Sequence, residues 1–237
     1  MSTTPRVAVI TGASQGIGEA LVAGYRKLGY AVVANSRNIG ESSDPMVLAV
    51  PGDIGQPGVG RQLIDAALAR FGRVDTIVNN AGIFIAKPFT EYTDDDYDAV
   101  TGVNQRGFFE LTRAGIAAIE AQGEGGHVVT ISTSLVDHAN SQVPSALASL
   151  TKGGLNAATK ALAIEYASRG IRANAVALGT IRTPMHAPET HEFLSALHPV
   201  GRLGEIDDVV DAVHYLERAG FVTGEILHVD GGQSAGH

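Results

Sequence analysis

The chain has no cysteine among its 237 residues. That excludes disulfide cross-links, thiolate zinc ligands and a cysteine nucleophile together, and it fits a reducing, cytoplasmic setting. No apolar run reaches the roughly 18 residues that a membrane-spanning helix needs. The opening residues Met1-Ser2-Thr3-Thr4-Pro5-Arg6 lead straight into a strand pattern and read as no signal peptide. Basic charge is also scarce: 17 Lys and Arg against 25 Asp and Glu leave a net charge of −8. Non-specific binding to nucleic acid or to an anionic membrane is excluded on that ground. Internal repeats, low-complexity stretches and linkers are absent too. A small-molecule substrate is the expected partner.

What is present is an alternation of short apolar runs with longer amphipathic ones. Val7-Ala8-Val9-Ile10, Ala31-Val32-Val33-Ala34, Met46–Val50, Thr76–Val78, Val128–Ile131, Ala173–Ala177 and Ile226–Val229 read as strands. Their unbroken apolar character suits a parallel sheet covered on both faces. Ile17, Leu21, Val22, Tyr25 and Leu28 recur at helical spacing, and further helices are expected near Val59–Phe71, Thr93–Ala121, Ser149–Ser168 and Ile206–Arg218. Thr93 and Asp96 form a capping-box pattern, and Gly170 suits a helix stop. Only 15 residues separate Arg37 from Asp53, so the second crossover helix is expected to be missing or reduced to a turn. The expected fold is α/β, one doubly wound parallel sheet of Rossmann type, as a single domain over 1–237.

Twenty-nine glycines are many, and several fall where strand meets helix. Gly12-Ala13-Ser14-Gln15-Gly16-Ile17-Gly18 lies between the first strand and the first helix. Glycines there permit a tight turn and close pyrophosphate approach, and the helix N-terminus offers unpaired N–H groups and a favourable dipole. The end of the second strand lacks the acidic residue that would bind a ribose 2′-hydroxyl. Asn35-Ser36-Arg37 stands there, with a hydroxyl and a guanidinium suited to a 2′-phosphate, so NADP is favoured over NAD.

With these motifs in order, the chain resembles a short-chain dehydrogenase/reductase along essentially its whole length. The matching residues are the glycine loop, Asp53-Ile54, Asn79-Asn80-Ala81-Gly82, Asn104, Ile131-Ser132-Thr133, Lys152, Gly179 with Thr183-Pro184, and Val229-Asp230-Gly231-Gly232. The resemblance implies that Asp53 and Ile54 contact adenine and that Asn80, Ala81 and Gly82 line the adenosine ribose. It implies that Lys152 bonds the nicotinamide ribose, that Asn104 holds a water in the proton path, and that Ile181 and Thr183 meet the carboxamide. Residues from about 183 to 204 would form a substrate lid, and a homotetramer is expected. The serine that steadies the substrate oxygen falls on Thr133, with Ser134 adjacent. Leu178-Gly179 replaces the usual Pro-Gly, which predicts a less rigid turn.

One further absence stands out. The family pairs lysine with a tyrosine four residues earlier, which gives a proton to the carbonyl oxygen as hydride arrives; here that position is Ala148. None of Tyr25, Tyr30, Tyr92, Tyr97, Tyr166 and Tyr215 is a helical neighbour of Lys152. His138 and His186 are of the residue type best suited to acid–base work near neutrality, although an ordinary loop histidine is the simpler reading of each. His186, His191 and His198 are spaced by five and seven, which does not gather them on one helical face as metal ligands. The expected activity is NADP-dependent hydride transfer on a small carbonyl, alcohol or imine-type substrate by a tyrosine-independent proton path. The alternative is an NADP-binding pseudoenzyme.

Overall fold

A computed structural model describes residues 4–236. Met1, Ser2 and Thr3 of the N-terminal reading, and His237 of the single-domain span, lie outside the described residues. Seven strands run as β1 Val7–Thr11, β2 Ala31–Ser36, β3 Val47–Pro51, β4 Thr76–Asn79, β5 Gly126–Thr133, β6 Ile171–Leu178 and β7 Ile226–Val229. They form one sheet in the order β3-β2-β1-β4-β5-β6-β7, with every pair parallel.

Alternation along each strand builds two cores. Val7, Val9, Ala31 and Val33 pack on one face with Leu63 and Ile64 of α2 (Val59–Phe71) and Leu111 of α4 (Gly107–Gln122). Ala163 of α5 (Ala146–Tyr166) joins them. Ala8, Ile10, Val32 and Ala34 pack on the other face with Leu21 of α1 (Gly16–Lys27) and Val209 and Val213 of α7 (Ile206–Arg218). Both faces of β1 and β2 are covered, which is why these central strands are nearly all apolar. Strand order reverses between β1 and β4, so a crevice opens beyond the carboxyl ends of those strands.

The stretch from β2 to β3 contains no helix and turns on Asp44, whose carboxylate accepts from Met46 N and from Arg26 Nε, each at 2.8 Å. The expected shortened crossover is there. The capping box of α3 (Asp94–Thr101) is also formed, Asp96 N donating to Thr93 Oγ1 and Thr93 N to Asp96 Oδ2. The single helix expected over Thr93–Ala121 is not continuous. A π-helical turn, Gly102–Arg106, separates α3 from α4. A widened turn keeps the helical direction, so apolar periodicity does not report it. Gly107 at its end admits Ile54, whose Cγ1 lies 3.0 Å from where a Cβ would stand. A short helix, α6 (His191–Ala196), also lies unforeseen inside the expected lid.

At the opposite end of the sheet, Glu217 of α7 is almost wholly buried. Its carboxylate accepts from Tyr30 Oη at 2.9 Å, and from Tyr25 Oη, Thr76 Oγ1 and His127 Nδ1 at 3.0 Å each. Asn174 fixes the histidine tautomer. Its Oδ1 accepts from Glu225 N, so its Nδ2 donates to His127 Nε2 and leaves the proton on Nδ1. Burial lowers the His127 pKa, and the contact with Glu217 is a neutral imidazole donating to a carboxylate. Among the described residues, no helix is long and apolar enough to cross a membrane.

Candidate active site

The glycine loop is held against the end of β4 by backbone-directed bonds. Thr11 Oγ1 accepts from Asn80 N at 3.1 Å and Ala81 N at 3.0 Å, while Asn80 Nδ2 donates to Thr11 O at 2.8 Å. Gly12 and Gly16 have φ of +65° and +58°, a region that favours glycine. Gly18 is required by space: a Cβ there would lie 2.1 Å from the Gly12 carbonyl oxygen. The first turn of α1 has no side-chain cap at Gln15, so its N–H groups remain available to an anion.

A cleft of about 970 Å³ opens above this loop, of a size suited to a dinucleotide with a small substrate. It is lined by Gly12, Ser14, Gln15, Gly16, Ile17, Gly18, Ser36, Arg37, Asp53, Ile54, Asn80, Ala81, Gly82, Thr133, Ser134, Lys152, Gly179, Ile181 and Thr183. The residues to which the sequence assigned a cofactor or catalytic role are therefore gathered on one cleft, Asn104 excepted, whereas Ala148, His138, His191 and His198 do not line it. Ser14 and Ser36 place their hydroxyls 2.9 Å apart, beside the exposed Arg37. No acidic side chain ends β2. Asn35, which precedes this pair, is buried and bonds Val50 O and Gly52 O at 3.0 Å each, so it is a brace for β3.

Lys152 and Ala148 lie on successive turns of α5. Ala148 is buried and Lys152 Nζ donates to Ile131 O at 3.3 Å. The ammonium is densely surrounded by protein, and burial lowers its pKa to about 8. Asn104 sits behind it in the π turn. Its Oδ1 accepts from Ile83 N at 2.8 Å and its Nδ2 donates to Ile83 O and Thr151 Oγ1. A cavity of about 10 Å³ between Asn104, Lys152, Thr11 and Asn79 has room for one water.

Residues 12–234 match the family model described as enoyl-(acyl carrier protein) reductase. An oxidoreductase of Methylorubrum extorquens is 36% identical, covering 96% of this chain and 97% of its own. The chain belongs to the short-chain dehydrogenase/reductase family. Another relative is subunit BbsD of the (2S)-[(R)-hydroxy(phenyl)methyl]succinyl-CoA dehydrogenase of Thauera aromatica, 34% identical over 99% of this chain and 98% of that one. Among solved structures, the 3-ketoacyl-(acyl-carrier-protein) reductase of Brucella melitensis complexed with NADH is 33% identical. It has a TM-score of 0.89 and covers 97% of this chain and 98% of that one.

Against that family pattern, Ser134 is engaged in the framework. Its fully buried hydroxyl lies 3.2 Å from Leu178 O and 3.0 Å from Gln233 Oε1, whereas Thr133 stays on the cleft wall. Gln233 lines the cleft as well, and its place far along the chain gave no local signal. The turn after β6 is pinned despite lacking proline. His198 Nε2 accepts from Thr180 N at 2.9 Å, and a Cβ on Gly179 would meet that same nitrogen at 2.6 Å. A half-buried ammonium with no carboxylate partner among the described residues carries a cost in the dinucleotide-free protein. Replacing Lys152 by methionine is expected to raise the stability of the dinucleotide-free protein at pH 7 by about 1–3 kcal/mol. The folded-state pKa of about 8 lies below the ordinary 10.5, so parental stability rises with pH across that window. Lys152→Met lacks this rise. Thermal melts from pH 7 to 10.5 check this, and equal slopes in both proteins contradict it.

Proposed function

We propose that this protein is an NADP-dependent oxidoreductase of a small carbonyl, alcohol or imine-type substrate, working without a phenolic proton donor. The observation that carries the reading is the continuity of one cleft from Ser14, Ser36 and Arg37 to Lys152, Ile181 and Thr183. The paired hydroxyls and guanidinium would hold the 2′-phosphate. The glycine loop and the open turn of α1 would hold the pyrophosphate, and Asp53 with Ile54 would border the adenine. Lys152 would bind the nicotinamide ribose, and Thr133 would steady the substrate oxygen by a hydrogen bond. Asn104 would hold a water in the small cavity beside Lys152. When bound, the nicotinamide ring supplies or accepts the hydride. The wall made by Phe84, Leu135, Val143, Met185, Phe193 and Leu194 supports an apolar substrate, covered by residues 183 to 204 as a lid. We assign the protein a cytoplasmic setting and a homotetrameric assembly, in keeping with its family.

A positioned general acid supplies about 10²–10⁴ in rate, so a substrate that needs no proton at the acceptor, such as a preformed iminium, loses least from Ala148. The same alanine favours a second reading, a pseudoenzyme whose bound NADP has a structural or sensing role. Fluorescence titration and a panel of ketones, alcohols and cyclic imines separate the two. The expected result is turnover, with NADPH bound at least about tenfold tighter than NADH and that preference lost in Arg37→Ala, since charge-assisted bonds contribute about 1.5–3 kcal/mol. Tight NADPH binding with no turnover on any member supports the pseudoenzyme. Equal affinity for both dinucleotides overturns the NADP assignment.

A further inference from the structure

Ala148 leaves one proton without a donor, and few groups in the cleft are free to carry it. None of the described tyrosines lines the cleft. Tyr92, the one that follows the Asn-Asn-Ala-Gly loop, donates its hydroxyl to Ile85 O at 2.7 Å. His198 is tied at both nitrogens, Nδ1 donating to Leu194 O and Nε2 accepting from Thr180 N. His191 is tied likewise. Arg182 can only donate, so its contact at 3.0 Å makes His191 Nδ1 an acceptor, and His191 Nε2 donates to the carbonyl of His186 at 3.1 Å.

His186 differs from both. Its half-buried ring lines the cleft, and Nδ1 lies 2.9 Å from the carbonyl oxygen of Ile181. A carbonyl only accepts, so Nδ1 carries the hydrogen and Nε2 keeps the lone pair. No described protein group bonds Nε2. The segment is braced on every side: His186 N donates to Thr183 O at 3.1 Å, and Arg182, which holds His191, pairs with Glu205 at 3.1 Å. The imidazole is thus mounted on Ile181 with one exchangeable nitrogen uncommitted.

We propose that His186 exchanges the proton with the substrate oxygen, in place of the absent phenol. The inference rests on the oxidoreductase reading. In reduction, hydride adds to the carbonyl carbon and the π-bond pair moves to oxygen. The reacting ring carries a proton on both nitrogens: the O–H bond forms as the N–H bond at Nε2 breaks, which leaves neutral His186 with its hydrogen on Nδ1, and solvent then reprotonates Nε2. In oxidation, Nε2 takes the hydroxyl proton as hydride leaves carbon. The other titratable residues lining the cleft are Arg37, Asp53, Asp98 and Lys152; His191 bonds the backbone carbonyl of His186, and Arg182 and Glu205 connect to it only through His191.

The test uses the full chain with NADPH and whichever ketone or imine it reduces, comparing His186→Gln, His186→Ala and the parent. The expected result is a kcat at least about 100-fold lower in His186→Gln, with NADPH affinity and KM within threefold. The falling limb of the parent's pH–rate profile disappears in His186→Gln, and added imidazole restores part of the rate to His186→Ala. Long-range ¹⁵N NMR supplies a readout independent of turnover, with the His186 proton expected on Nδ1. An active His186→Gln protein that keeps its limb assigns the proton to Lys152 and overturns the proposal, as does an Nε2-protonated neutral ring. A parent inert toward the whole panel overturns the oxidoreductase reading itself, a distinct outcome.

Discussion

Glu217→Ala is expected to lower the unfolding free energy by about 3–5 kcal/mol, the usual effect of breaking a buried charged network. Four donors, from Tyr25, Tyr30, Thr76 and His127, lose their shared acceptor while remaining buried. For a chain of this size that corresponds to a fall in Tm of about 6–20 °C. Urea titration of the dinucleotide-free protein measures it, and a change below about 1 kcal/mol would mean that water repairs the site.

The same residue sets an acid limit. Burial pushes the Glu217 pKa up, but hydrogen bonds from His127, Tyr30 and Tyr25 outweigh that and hold it at about 2, against an ordinary 4.5. The folded value is depressed, so this stabilisation is complete above about pH 4.5 and is lost as pH falls toward 2. His127, kept neutral by burial, acts in the same direction from about pH 6.5 downward. Parental stability should therefore fall on acidification, and the fall below pH 4.5 should be smaller in Glu217→Ala.

The second large effect belongs to Gly18. A methyl group there would stand 2.1 Å from the Gly12 carbonyl oxygen and 2.7 Å from Asn80 Nδ2. The carbonyl cannot yield without opening the turn proposed to hold the pyrophosphate. Overpacking of this kind costs about 3 kcal/mol, and Gly18→Ala is expected to weaken NADPH binding by at least about 100-fold. Gly16 provides the contrast. Its nearest neighbours lie 3.7 Å from the added Cβ, so Gly16→Ala meets only the left-handed backbone penalty of about 1–2 kcal/mol. Calorimetric titration of the two variants should rank them in that order, and equal losses would show that space at Gly18 is not the constraint.

Much of this architecture was legible because its strands are buried on both faces. Val7–Thr11 and Ala31–Ser36 need apolar side chains everywhere, and such runs stand out without any partner in view. The shortened second crossover followed from chain length alone. Individual side chains were harder. Thr133 and Ser134 are adjacent in sequence, and only packing against Gln233, about a hundred positions away, commits Ser134 to the framework. The π turn around Asn104 was hidden because widening a helix by one residue leaves its apolar stripe nearly intact. His186 read as an ordinary loop histidine, since the bond to Ile181 that defines its tautomer crosses a turn no periodicity describes.

Thr76, His127 and Arg172, at the first residues of β4, β5 and β6 or one step inside them, meet α7 around Glu217, whereas the cleft opens beyond the strands' other ends. The fold thus anchors itself far from where it does its chemistry. A lineage built this way can lose or exchange a proton-handling side chain at the cleft without endangering the folded state. Its repertoire of reactions is free to drift while its architecture stays put.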